Sequence, residues 1–127
     1  MGIAALLAGP AAHDGKLVTL NGAAVVEFEG AFLCPDSAVI EHGGPKQCLW
    51  LSAAEGVDLQ PFHLKNVQLT GHFDSAYKGH MGLFGGRLIV RSGKVLGHHG
   101  VRGFRPPPPP SSSANNSSKP TPLRGAA

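Results

Sequence analysis

Five apolar runs of strand length, separated by glycine- and proline-rich turns, organise the first hundred residues. Residues 17–28 (LVTLNGAAVVEF) are rich in β-formers and carry Gly22 at their centre. A glycine inside such a run marks a bulge or a sharp bend. Residues 31–35 and 37–41 (AFLCP, SAVIE) are expected as a second strand with a proline break, followed by the turn HGGPK. Residues 47–52 (QCLWLS) give the third strand. Residues 67–73 give the fourth, with Val67, Leu69, Gly71 and Phe73 on one face and Gln68, Thr70 and His72 on the other. Residues 86–97 give the fifth, with a hairpin or bend expected at Ser92-Gly93. The stretch 53–66 reads as irregular because Gly56 and Pro61 oppose a long helix. The one helix expected lies in residues 1–12, where Ile3, Leu6 and Leu7 share a face before Gly9-Pro10.

This pattern predicts an all-β fold, a small five-stranded barrel with a short N-terminal helix. A long first strand bent at its glycine suits closure, and closure removes the unpaired edges that recruit other chains. Five strands enclose a space that side chains fill, so a ligand would bind on the outer face or in the loops. Two regions are expected: residues 1–100 as the barrel domain and residues 101–127 as a disordered Pro/Ser-rich tail. The tail has no apolar periodicity, and it buries too little to offset its ordering entropy. Its five prolines, Pro106 to Pro110, should form a stiff polyproline II segment. That segment is a candidate ligand for a proline-recognition partner, although a solvated tail is the favoured reading.

Charge sharpens the picture. The net charge of +3 belongs to the tail. Residues 1–97 hold seven Lys/Arg and eight Asp/Glu, whereas residues 98–127 hold four cations and no acid. A near-neutral domain with few aromatics argues against nucleic acid as a partner. No segment reaches the roughly 20 apolar residues of a membrane helix. The apolar opening MGIAALLAGPAA lacks the cationic start of a signal peptide. A cytoplasmic location is therefore expected for the sequence as it stands, or the envelope if an export signal lies upstream. Cys34 and Cys48 fall on adjacent expected strands. They read as buried thiols in a reducing compartment and as a conceivable bridge in an oxidising one.

Candidate chemistry centres on residues 71–86 (GHFDSAYKGHMGLFGG). His72 and His80 flank a loop that also holds Asp74, but their spacing matches no zinc pattern. Gly79, Gly82, Gly85 and Gly86 lack the order of a phosphate-binding loop, so turn chemistry explains them better. Glu27 and Glu29 share a face if extended, which suits acid–base work or, more simply, a solvated face. Trp50 reads as a core or lid residue. His98 and His99 read as exposed. No cofactor is implied.

Taken in order, DGKLVTLNG (14–22), VEFEG (26–30), CLWL (48–51), VQLTGHFD (67–74) and GHMGLFGG (79–86) resemble a family of small, uncharacterised bacterial domains. The resemblance covers residues 7–95. It implies an OB-like domain, and some relatives look like envelope proteins. It singles out Glu27, Glu29, Gly30, Trp50, Gly71, Phe73, Asp74, Gly79, His80, Met81 and Gly82. The candidate polar cluster is therefore Glu27, Glu29, His72, Asp74 and His80. The structural positions are Gly22, Gly30, Trp50, Gly71, Gly79 and Gly82. His80 is expected to bond Glu27 or Glu29 and fix its loop over the barrel mouth. The functional expectation is a binding or interaction module. The alternatives are a metal-dependent or acid–base enzyme using these His/Asp/Glu residues, and a single-stranded nucleic-acid binder.

Overall fold

β1, Leu17–Glu27, is the strand that closes the sheet. Its first part pairs antiparallel with β4 (Lys65–Asp74), and its second part pairs with β2 (Gly30–Cys34). Ala23 and Ala24 pair on both sides. Just before them stands Gly22, where a β-carbon would collide with the Cys34 carbonyl oxygen. The bend expected at this glycine is thus a close approach of two strands. With β3 (Leu49–Ala53) and β5 (Gly86–His98), the order β1-β2-β3-β5-β4 forms a closed five-stranded barrel. Only the β3–β5 pair is parallel. This computed structural model describes residues 2–27 and 30–101, the side chain of His80 excepted. The expectations placed on Phe28, Glu29 and the tail beyond residue 101 lie outside the described residues.

Two local expectations are corrected. Residues 37–41 are not strand: α3, Ser37–His42, follows α1 (Ile3–Ala8) and the short α2 (Pro10–His13). Pro35 stops β2, and Asp36 then caps the helix by accepting the Val39 N–H at 3.0 Å. That N-cap outweighs the β-preference of Val39 and Ile40. Nor does a hairpin form at Ser92-Gly93. β5 runs straight through, and Arg91 and Leu96 are extra residues against β4, one at each register shift. Such bulges bend a strand without ending it. Gly71 sits beside the first bulge, where a β-carbon would meet the Ile89 carbonyl.

Alternation puts two hydrophobic clusters on the two sides of the sheet. Inside the barrel lie Val18, Leu20, Ala24, Val26, Leu33, Leu49, Leu51, Val67, Leu69, Phe73, Leu88 and Val90. Ile3 and Leu6 of α1 and Phe62 of the turn Gln60–Phe62 join them. The helical face expected from the sequence is therefore the one that seals the core. Outside the barrel, Ala23, Val25, Cys34, Ile40, Cys48 and Phe84 form a second buried cluster, with Phe32, Val39, Trp50 and Val101 packed against it. Cys34 and Cys48 are joined in a disulfide, so the reading as free thiols is also corrected. The bridge ties the end of β2 to the start of β3, beneath α3.

Candidate outer-face recognition site

On the outside of the barrel, one cross-strand row runs around all five strands. Val25 pairs with Phe32, Phe32 with Trp50, Trp50 with Arg87, and Arg87 with Asp74. Paired residues point to the same face of a sheet. At an interstrand spacing of about 4.8 Å, the row covers roughly 19 Å of surface. Its centre is aromatic. Phe84 meets the Trp50 indole edge-on at 5.3 Å and tilts against Phe32 at 5.8 Å. Trp50 and Phe32 are half-buried on this face.

Two glycines make room for the indole. A β-carbon at Gly30 would lie 2.6 Å from Trp50 Cη2, and one at Gly79 would lie 2.8 Å from Cδ2. Gly79 belongs to the loop of residues 75–85, which joins β4 to β5. The loop therefore folds along the outer face over Trp50, not across the barrel mouth. Its anchors are polar. Asp14 Oδ1 accepts the Ser75 N–H at 2.8 Å and the Ser75 hydroxyl at 2.9 Å. Asp74 Oδ1 accepts the Ala76 N–H at 3.0 Å. Lys78 Nζ donates to the Gly85 carbonyl at 3.2 Å, and the Gly85 N–H donates to the Cys48 carbonyl at 2.9 Å.

At the β4 end of the row, Arg87 Nη2 donates to Asp74 Oδ2 at 2.6 Å. This bond holds the Asp74 carboxyl below its usual pKa of 3.8. Burial works in the opposite sense, and the Ala76 and Tyr77 N–H groups reinforce the lowering. The Arg87 guanidinium lies 4.4 Å from the centre of the Tyr77 ring, within cation–π range. Anchored this way, the loop leaves Tyr77, Met81 and Leu83 in solvent at 42%, 79% and 47% exposure.

Of the expected polar cluster, the described members are Glu27, His72 and Asp74, and Glu27 stands apart from the other two. Glu27 ends β1 opposite Gly30, whereas His72 pairs with Leu17 at the other end of β1. Asp74 is committed to Arg87 and to its own turn. Among the described residues, no three His, Cys, Asp or Glu side chains converge on a point. The bond expected from His80 to Glu27 or Glu29 lies outside the described residues. Gly82 has φ of +69° in the turn His80–Gly82, and a β-carbon there would meet nothing within 4 Å. What does assemble is the trio Gly30, Trp50 and Gly79, three of the positions the resemblance picks out.

Reading the sequence missed Arg87, Tyr77, Asp14 and Phe84. Only Asp14 carried a usable signal, as an Asp-Gly turn with a spare acceptor. His99 was misread. Its Nε2 lies 2.8 Å from the Ala24 carbonyl, and its Nδ1 accepts the Val101 N–H at 2.9 Å, so it clasps the end of the domain. Elsewhere among the described residues, an open hollow of about 300 Å³ is lined by Ala4, Leu7, Ala8, Pro35, Lys46 and Gln47. It brings no acid–base pair together.

No family model and no curated protein sequence matches the chain. Solved structures similar to it include a DUF3299 family protein from Pseudomonas aeruginosa PAO1 (TM-score 0.48, 17% identity, over 70% of this chain and 66% of that one). Asparaginyl-tRNA synthetase from Pyrococcus horikoshii is similar at TM-score 0.42 and 19% identity, over 68% of this chain and 21% of the synthetase. The chain thus spans just under two-thirds of the first protein and about a fifth of the second. Neither likeness bears on function.

Proposed function

We propose that this chain is an OB-type binding module whose contact surface is the outer face of β2, β3 and β5 together with the loop of residues 75–85. The strand order, with β3 and β5 parallel and adjacent, is consistent with an OB barrel. Such barrels bind ligands on the face of strands two and three, using the loops after strands one and four. Here β2, β3 and the loop after β4 surround Trp50. One observation carries the reading: a half-buried Trp50–Phe32 surface, bounded by Arg87 and by a loop that presents Tyr77, Met81 and Leu83 to solvent.

The surface chemistry favours a peptide segment with apolar or proline side chains. Aromatic faces and a methionine adapt to such groups. The near-neutral charge of residues 1–97 disfavours a polyanion. The Cys34–Cys48 bridge supports an oxidising compartment over the cytoplasmic location the sequence suggested.

Trp50 is the sole tryptophan, so its emission reports directly on this surface. The test is a selection of random peptides displayed on phage against the immobilised full chain. Enriched peptides should shift Trp50 emission, and their binding should fall at least tenfold with Met81→Ser plus Leu83→Ser. Enriched peptides that bind that variant and leave Trp50 emission unchanged would refute the assignment, as would failure to enrich any.

A further inference from the structure

Val101, the last described residue, does not leave the barrel at a random point. It packs on the outer cluster that also holds Phe32, Trp50 and Phe84. The chain is fixed there by three bonds. The His99 N–H donates to the Leu64 carbonyl at 3.0 Å, His99 Nε2 lies 2.8 Å from the Ala24 carbonyl, and the Val101 N–H donates to His99 Nδ1 at 2.9 Å. The next residues are Arg102, Gly103, Phe104 and Arg105, followed by Pro106 to Pro110. In sequence, a phenylalanine and five prolines follow within nine residues of Val101.

We infer that the segment Phe104 to Pro110 docks in cis on the Phe32–Trp50–Tyr77 surface. The inference rests on the reading of that face as the contact surface, and it names the first occupant. Three arguments support it. The first is reach. In a polyproline II conformation of about 3.1 Å per residue, the five residues from Val101 to Pro106 extend roughly 15 Å. From the β1 position in the row to Trp50 is two interstrand spacings, about 10 Å. The second is chemistry. A polyproline II helix is preformed, carries no internal hydrogen bonds, and docks against grooves lined by aromatic rings. The third is anchoring. The bonds of His99 and Val101 fix the start of the segment beside the outer cluster.

Tethering makes weak contacts sufficient. A ligand held on a short linker faces its site at an effective concentration in the millimolar range.

The test uses the full chain with a nitroxide at Ser112→Cys and follows the Trp50 indole N–H by NMR. Docking in cis predicts loss of the Trp50 indole signal, with Thr19 and Thr70 unaffected. Replacing Pro106 to Pro110 with serines should restore it, and tenfold dilution should leave the effect unchanged. An undiminished indole signal would overturn the inference, and so would broadening that fades on dilution, which would mean the tail of another copy. If phage-selected peptides still bind through Met81 and Leu83 while the nitroxide leaves Trp50 untouched, the inference alone falls. If neither reaches Trp50, the assignment of the face falls with it.

Discussion

Gly79 lies against Trp50, so close that a β-carbon there would approach Cδ2 and Cε3 of the indole and Cβ of the same side chain to within 2.9 Å. It also adopts φ of +73°, the left-handed region that costs other residues roughly 1–2 kcal/mol. Three substitutions separate the two causes. Gly82→Ala carries the backbone cost alone, since nothing lies near Gly82, and should destabilise by about 1 kcal/mol. Gly30→Ala carries only the clash with Trp50. Gly79→Ala carries both and should be the worst of the three. Trp50→Leu should relieve Gly30→Ala and leave Gly82→Ala unchanged. Urea unfolding of the single and double variants measures each coupling.

The disulfide closes a sequence separation of 14 residues. A loop of that size implies stabilisation of about 3 kcal/mol. Cys34→Ser with Cys48→Ser should lower the urea midpoint accordingly, and a reducing agent should do the same to the native chain. Because the Cys48 carbonyl holds the Gly85 N–H, the change should also loosen Phe84. Trp50 emission should then move to the red before global unfolding. Coincident emission and circular-dichroism transitions would count against that order of events.

Asp74 has two tasks, the ion pair with Arg87 and the turn that opens the loop. Asp74→Asn should cost about 1–2 kcal/mol, because it leaves a half-buried guanidinium without its charge-assisted bond. The pH signature follows from the lowered pKa. Below the unfolded value of 3.8 the unfolded chain takes up this proton while the folded chain resists it. The contribution of Asp74 is therefore complete above that value and is lost as pH falls through the lower folded value. The native chain should lose more stability than Asp74→Asn between pH 4 and pH 2.

His99 titrates in a different window. Burial lowers its pKa below 6.5; the bond to the Ala24 carbonyl opposes this, and His98 and His63 add to the lowering. The neutral ring suits its bonds, since Nδ1 must accept from Val101 while Nε2–H donates to Ala24. Its contribution is present in full above 6.5 and declines as pH falls toward the folded value. His99→Gln should flatten the stability change between pH 7 and pH 5. Protection of the Val101 amide from exchange, relative to its intrinsic rate at each pH, should fall in the native chain over the same range and not in the variant.

The strand runs, the turn at HGGPK and the sealing face of the N-terminal helix were legible in the residues. Each depends on local periodicity or on a glycine or proline that restricts its own neighbours. The barrel followed from strand count and from Gly22, because a bend that a side chain would block points to two strands meeting. α3 escaped notice for a local reason too: Asp36 caps it, and β-branched residues outvoted one capping carboxylate in the reading.

The site is of another kind. Gly30, Trp50 and Gly79 stand far apart in the chain and meet only because β2, β3 and the loop after β4 are neighbours in the closed sheet. Apolar runs that suggested one core in fact served two, since closure of the barrel buries one face and α3, the disulfide and Phe84 cover part of the other. Alternation along a strand specifies that two faces exist. Which of them becomes interior, and which aromatic ring remains at the surface, is decided by the order in which strands pair. That order depends on contacts between distant segments, which no local stretch of the sequence encodes.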